Sequence, residues 1–201
     1  EKIFNSLAVV NNNLDVIEFY NKNNLVPFGE FLPLEIILKS IGMKTVTNFY
    51  NSYSAGKKRD VINLNNQGFD ISFLPSICYE IIYSGNLSRE DNYDLILNIS
   101  EDGWFGKSIG PYQHFSHSIF RSIEEGKSIV RSTNNGVSAL ISPNGDVTKV
   151  LESTYGGVIQ IKQIKNAKKT FFSKYGNNMF FYFIIIYISL IFFLNTNREI
   201  K

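Results

Sequence analysis

Ser72-Phe-Leu-Pro-Ser-Ile-Cys-Tyr-Glu80 is the stretch on which the reading of this chain turns. Asp70-Ile-Ser-Phe-Leu leads into it with strand-type residues, and the run delivers Cys78, the only cysteine in the protein. A carboxylate, Glu80, follows two positions later. A short apolar strand that ends in a thiol is one way to present a nucleophile. A lone cysteine forms no intrachain disulfide, so it serves chemistry or fills the core as a small hydrophobe. The run itself leaves both open.

Length and charge bound the rest. The chain has 201 residues, enough for one medium domain with a single core. Its formal net charge of +2 argues against a broad nucleic-acid footprint, so no nucleic-acid partner is expected. The first residue is Glu1, and no basic, apolar and small-residue leader pattern follows. The expectation is a sequence that begins inside a longer natural chain.

Upstream of the cysteine, Ile3–Val10 and Val16–Tyr20 read as two strands joined by a turn at Asn11-Asn-Asn. Tyr20–Glu30 reads as a loop, with one cation, Lys22, and one anion, Glu30, either side of Leu25, Val26 and Phe28. Packing of those apolar residues would hold both charges in place; two solvated surface charges is the plainer reading. A short helix is expected over Phe31–Ile41, opening near Pro33. Residues 43–68 read as a long surface excursion, with Lys57-Lys58-Arg59 as a solvated turn.

Downstream, a short helix is expected from Glu80 and a buried strand over Tyr93–Ser100. The turn Glu101-Asp-Gly-Trp-Phe-Gly carries the only tryptophan, Trp104. A helix runs from Gly110 to about Glu125, with His114 and His117 three apart on it. With no Cys, Asp or Glu ligand nearby in sequence they make a poor metal site, and no metal or cofactor is expected. Ser128–Ser132, Gly136–Ser142, Val147–Leu151 and Val158–Ile161 read as strands, with a hairpin turn at Pro143-Asn-Gly-Asp. Alternating strands and helices give a layered α/β domain.

Met179–Leu194 is uncharged and bulky on every face. At ~1.5 Å per residue it reaches about 24 Å, and flanking polar residues, Lys174 and Arg198 extend it toward the ~30 Å of a hydrocarbon core. A transmembrane helix is expected over residues 177–196, after a folded domain at residues 1–170.

Lys22 to Glu30, Cys78-Tyr-Glu, Asn98-Ile-Ser-Glu-Asp-Gly-Trp-Phe-Gly, Gly110-Pro-Tyr-Gln-His and Arg131-Ser-Thr-Asn-Asn-Gly together resemble the apolipoprotein N-acyltransferases of the bacterial inner membrane. The resemblance covers nearly the whole chain. It implies a nitrilase-like αββα sandwich, incomplete at its N-terminus, followed by the C-terminal membrane helix. It also implies transfer of a phospholipid acyl chain, through a cysteine thioester, to the α-amine of a diacylglyceryl-cysteine on an apolipoprotein. By motif match, Lys22 is the lysine and Cys78 the nucleophile of a Glu-Lys-Cys triad. Glu30 is a further catalytic residue that pairs with Lys22, while Tyr79, Glu80 and Trp104 support the site.

The chemistry agrees with those roles. A thiolate attacks an ester well, and an adjacent cation stabilises both it and the tetrahedral oxyanion. The resemblance also implies a base glutamate upstream of the first strand, which this chain does not contain; Glu1 is out of place for it. Asn24 stands where these proteins commonly have His, and Glu101 where they commonly have Asn. Five lysines, Lys162, Lys165, Lys168, Lys169 and Lys174, precede the span, which on charge alone would put the domain in the cytoplasm. The resemblance implies the periplasmic side. Two alternatives are a nitrilase or amidase hydrolysing a small amide, and a truncated, inactive lipid- or lipoprotein-binding remnant.

Overall fold

A computed structural model describes residues 2–45, 52–66, 69–85, 87, 92–151, 156–165 and 167–199. Two strands, β1 (Ser6–Val10) and β2 (Val16–Asn21), pair antiparallel as the expected hairpin. The remaining strands form one six-stranded sheet in sequential order: β3 (Ile62–Asn66), β4 (Phe69–Ile77), β5 (Leu95–Ser100), β6 (Ser128–Thr133), β7 (Ser138–Ile141) and β8 (Val147–Leu151). The centre, β4–β5–β6, is parallel, and both flanks are antiparallel.

Alternation along the parallel strands sorts their side chains between two layers. Leu74, Ile96 and Ile129 point to one face, where they pack with Ile81, Ile141 and the helix residues Phe115 and Ile119. That helix, α2 (Gly110–Glu125), has Pro111 in its first turn and stops at Gly126 in the left-handed conformation. Phe73, Ile77 and Leu95 point the other way, onto Leu7 and Tyr20 of the hairpin. Of the expected αββα layers, the described residues thus form α2, the main sheet and the hairpin, whose outward Ile17 and Phe19 stay exposed.

Three local expectations need correction. The first helix, α1, is confined to Glu35–Ser40, because Leu34 ahead of it takes a left-handed backbone (φ 50°) that a helix cannot continue. The stretch at 43–68 is not all excursion: Ile62–Asn66 is a strand on the edge of the main sheet, its residues paired with Phe69–Phe73. The parts of that stretch at 46–51 and 67–68 lie outside the described residues. Among the described residues, Val158–Ile161 forms no strand, and Val158 is 93% exposed.

After the sheet, α3 (Phe171–Tyr175) is capped by Thr170, whose hydroxyl accepts from Ser173 N–H at 2.9 Å. Then α4 (Asn178–Glu199) runs for 22 residues, about 33 Å at ~1.5 Å per residue. It is long and apolar enough to cross a membrane by length and composition, and its side chains from Phe180 to Leu194 are exposed.

Ile129 is fully buried on β6, one of the three parallel strands, whereas Val150 is 55% exposed on β8. Ile129→Ala is expected to destabilise by ~2–5 kcal/mol through lost burial and a residual cavity. Val150→Ala should stay within ~0.5 kcal/mol. Urea unfolding of the detergent-solubilised protein reads both; equal effects would contradict this assignment of the core.

Candidate active site

The carboxyl ends of the three parallel strands meet at one edge of the sheet. Cys78 follows β4, Glu101 and Asp102 follow β5, and Asn134 follows β6. In open α/β sheets this edge is where ligands bind. A cavity of about 580 Å³ opens here, lined by Cys78, Lys22, Glu30, Glu101, Trp104 and Asn134 among others.

Cys78 opens a 3-10 helix (Cys78–Ile82) and has φ 50°. A non-glycine residue in the left-handed region is uncommon, and such strain costs of order 1–3 kcal/mol unless neighbouring structure imposes it. Here much of the imposition comes from Glu80. Its side chain is fully buried and its Oε2 accepts from the N–H of Ile77 at 2.8 Å, closing the turn that carries the cysteine. Its Oε1 accepts from Tyr20 O–H at 2.7 Å and from the N–H groups of Asn23 and Asn24 at 3.0 Å each. One carboxylate therefore ties the Cys78 turn to the exit of β2.

That exit carries Lys22. The sequence allowed either a held or a solvated Lys22–Glu30 pair; the structure buries both residues, to 1% and 5% exposure. Lys22 Nζ donates to Glu30 Oε2 at 2.7 Å. Glu30 also accepts from Val26 N–H at 2.9 Å and Asn5 Nδ2 at 2.7 Å, so its position is fixed from three sides. An ammonium has three N–H donors, and with one on Glu30 two can serve a pocket-bound oxygen. Phe28, expected to pack between them, is instead half exposed.

The basic run also differs from expectation. Lys57 and Lys58 are exposed, but the Arg59 side chain is only 7% exposed and lies 3.2 Å from Glu80 Oε1. It is the counter-charge that the buried Glu80 needs, and the flanking chain is pinned alongside, with Gly56 N–H on Lys22 O at 2.8 Å. A side chain at Gly56 would fall within 2.1 Å of Asn21 O, so only glycine lets this segment approach the end of β2.

The other residues expected to support the site take separate places. Tyr79 is half-buried and stacks edge-on with Tyr83, ring centres 5.7 Å apart. Trp104 is 59% exposed at the cavity's rim. Glu101 accepts from Gly103 N–H at 2.8 Å and from the Asn134 amide. His114 faces the sheet, buried against Asp102, while His117 is half-buried.

Sequence reasoning passed over a second buried group. Asp102, His114, Arg131 and Asn98 are each at most 4% exposed and contact one another between β5, β6 and α2. Burial works to raise the Asp102 carboxyl, but the His114 hydrogen bond and the Arg131 charge overcome it and hold Asp102 below the usual range. This pairing adds stability above the unfolded carboxyl range and loses it as pH falls through the depressed folded value. The overlooked signal was an arginine and an asparagine inside runs otherwise fit for buried strands, Ser128-Ile-Val-Arg and Leu95-Ile-Leu-Asn-Ile.

The family profile for carbon-nitrogen hydrolases matches residues 1–166. The chain belongs to the carbon-nitrogen hydrolase family. Among curated relatives, this carbon-nitrogen hydrolase chain is 38% identical over 177 residues to an apolipoprotein N-acyltransferase of Wigglesworthia glossinidia brevipalpis, covering 87% of this chain and 35% of that one. It is 34% identical to the protein of the same name from Bradyrhizobium diazoefficiens, covering 88% and 32%. The chain thus spans about a third of the length of the curated relatives it matches. A variant of the amidase from Nesterenkonia sp. AN1, solved with an acetamide adduct on its active-site cysteine, superposes with a TM-score of 0.50 at 14% identity. It covers 74% of this chain and 51% of that one, a likeness of fold.

The Tyr20 phenol is pushed up to about 12, by burial first and then by the negative charge of Glu80. A folded value above the unfolded ~10 gives stability that is full below that pH and lost as pH rises. Wild-type stability is therefore expected to fall between about pH 10 and about pH 12. Tyr20→Phe should be less stable by ~1.5–3 kcal/mol near neutrality, having lost a hydrogen bond to a carboxylate, and should show a shallower alkaline slope. Denaturant unfolding at several pH values checks this; parallel slopes would contradict it.

Proposed function

We propose that this chain carries the catalytic domain, over residues 1–170, of a membrane-bound N-acyltransferase of lipoprotein maturation, anchored by a transmembrane helix at 177–196. The acyl donor is a phospholipid and the acceptor the α-amine of an apolipoprotein's N-terminal diacylglyceryl-cysteine. The domain works on the periplasmic side of the bacterial inner membrane. One observation carries the reading: Cys78, held on a left-handed turn, shares its cavity with the buried Lys22–Glu30 pair. The names of the relatives support the substrate class, and α4 supports a lipid-side substrate.

The reaction then runs in two steps. Cys78 Sγ, having given its proton to a carboxylate base, attacks the ester carbonyl of the donor. Lys22 donates to the oxyanion that forms, while Glu30 keeps the ammonium aimed at the cavity. The C–O bond breaks, the lysophospholipid oxygen leaves with a proton, and an acyl thioester remains on Cys78. The acceptor amine attacks that carbonyl, the C–S bond breaks, and the amide forms as the amine's proton passes through the base back to sulfur. The base is the glutamate that the resemblance places upstream of β1. Tyr79, Glu80 and Trp104 support the site, Glu80 by fixing the turn and Trp104 by its place at the rim.

Intact mass spectrometry of the protein from its own membranes, with and without hydroxylamine at neutral pH, tests the intermediate. An acyl mass on Cys78 that hydroxylamine removes is expected, and Cys78→Ser should lose both the adduct and the transfer. Lys22→Met should slow transfer by ~10²–10³-fold, the usual cost of an oxyanion donor. Transfer retained by Cys78→Ser would overturn the mechanism. Cleavage of small amides without any lipid acyl transfer would overturn the substrate assignment.

A further inference from the structure

The nucleophile's turn is gripped from a second side. Imidazole Nε2 of His114 lies 3.3 Å from the carbonyl oxygen of Cys78, and Nδ1 lies 2.8 Å from Asp102 Oδ1. Arg131 donates to Asp102 Oδ2 at 2.7 Å and, through its other terminal nitrogen, to the Asn98 side-chain oxygen. Asn98 in turn donates to the carbonyl of Ser76 at 3.0 Å. The group thus begins and ends on the backbone of residues 76–78. A side chain at Gly136 would fall within 2.1 Å of Asp102 Oδ2, so the following turn leaves room for this carboxylate.

Such a group asks for a reason. Buried ion pairs replaced by well-packed apolar residues are often neutral or more stable, so stability alone explains this one poorly. What it holds is the carbonyl of a residue with φ 50° that is also the candidate nucleophile. Peptide planarity means that fixing this oxygen also fixes the Cys78–Tyr79 plane and the start of the 3-10 helix. Released, the turn can relax toward ordinary backbone angles and swing Sγ away from the cavity.

We infer that His114 is a positioning residue: it clamps the Cys78 carbonyl, on a buried Asp102–Arg131–Asn98 frame, so that the thiol stays turned into the cavity that Lys22 also lines. The inference deepens the reading of Cys78 as nucleophile and rests on it.

Two substitutions separate the two ring nitrogens. His114→Gln places an amide N–H donor where Nε2 stands, toward Cys78. His114→Asn places one where Nδ1 stands, toward Asp102. The full-length protein in detergent is assayed for Cys78 alkylation by iodoacetamide, and for kcat and KM of acyl transfer. The Gln variant is expected within about threefold of wild type in both. The Asn variant is expected to alkylate at least about tenfold more slowly and to lose kcat by a similar factor with KM for phospholipid unchanged, as small misplacements of a reacting atom do. Equal alkylation rates in the two variants, or a raised KM with kcat intact, would overturn the proposal. If the Asn variant fails to fold, the Gln variant decides: folded and near wild type supports the clamp, folded but slowed tenfold refutes it. Alkylation needs no acyl donor. A clear Gln–Asn split in a protein that transfers no acyl chain would refute the acyltransferase reading and leave the clamp standing.

Discussion

The arrangement depends on one fully buried carboxylate. Glu80 takes hydrogen bonds from the turn that carries Cys78 and from the strand exit that carries Lys22, and Arg59 supplies its counter-charge. An ionised group at this depth is tolerable only when its oxygens are filled, and here both are. Removing one partner from such a pair typically costs ~3–5 kcal/mol, because the other is left buried and unpaired. The same interaction therefore ties the segment carrying Cys78 to the segment carrying Lys22 and penalises any slack between them.

Around that tie the sheet does the coarse placement. Parallel strands β4, β5 and β6 end together, so residues far apart in sequence reach one edge. The hairpin brings Lys22 over that edge from the opposite layer. The strained backbone at Cys78 is held from two sides, by Glu80 at the preceding N–H and by His114 at its own carbonyl. Strain of that kind persists only where the surroundings over-determine it, and it concentrates at functional sites.

Most of the strands were legible in the sequence because half-buried and buried runs carry their pattern locally: β1, β2, β5, β6, β7 and β8 stand within a few residues of the expectation. The motifs around Lys22, Glu30, Cys78 and Glu80 pointed to a site because a lone thiol and few charges in apolar company are chemically conspicuous. What sequence did not reveal is long-range pairing. Arg59 looked like one of three solvated cations, and only the fold brings it to Glu80, 21 positions away. His114 shares a helix face with His117 in sequence, but its partners come from the loop after β5, from β6 and from the Cys78 turn. Strand β3 hid in a polar stretch because three of its five residues are asparagines, at 63, 65 and 66, and asparagine is depleted in strands, which masks the alternation of Ile62 and Leu64.

The central claim is that Glu80 couples the two halves of the site. Hydrogen–deuterium exchange by mass spectrometry, comparing wild type with Glu80→Gln, tests it most directly. Exchange is expected to rise together in two peptides far apart in sequence, one covering Asn23 and Asn24 and the other covering Ile77, while β6 stays protected. Faster exchange in only one of them, or in neither, would contradict the account.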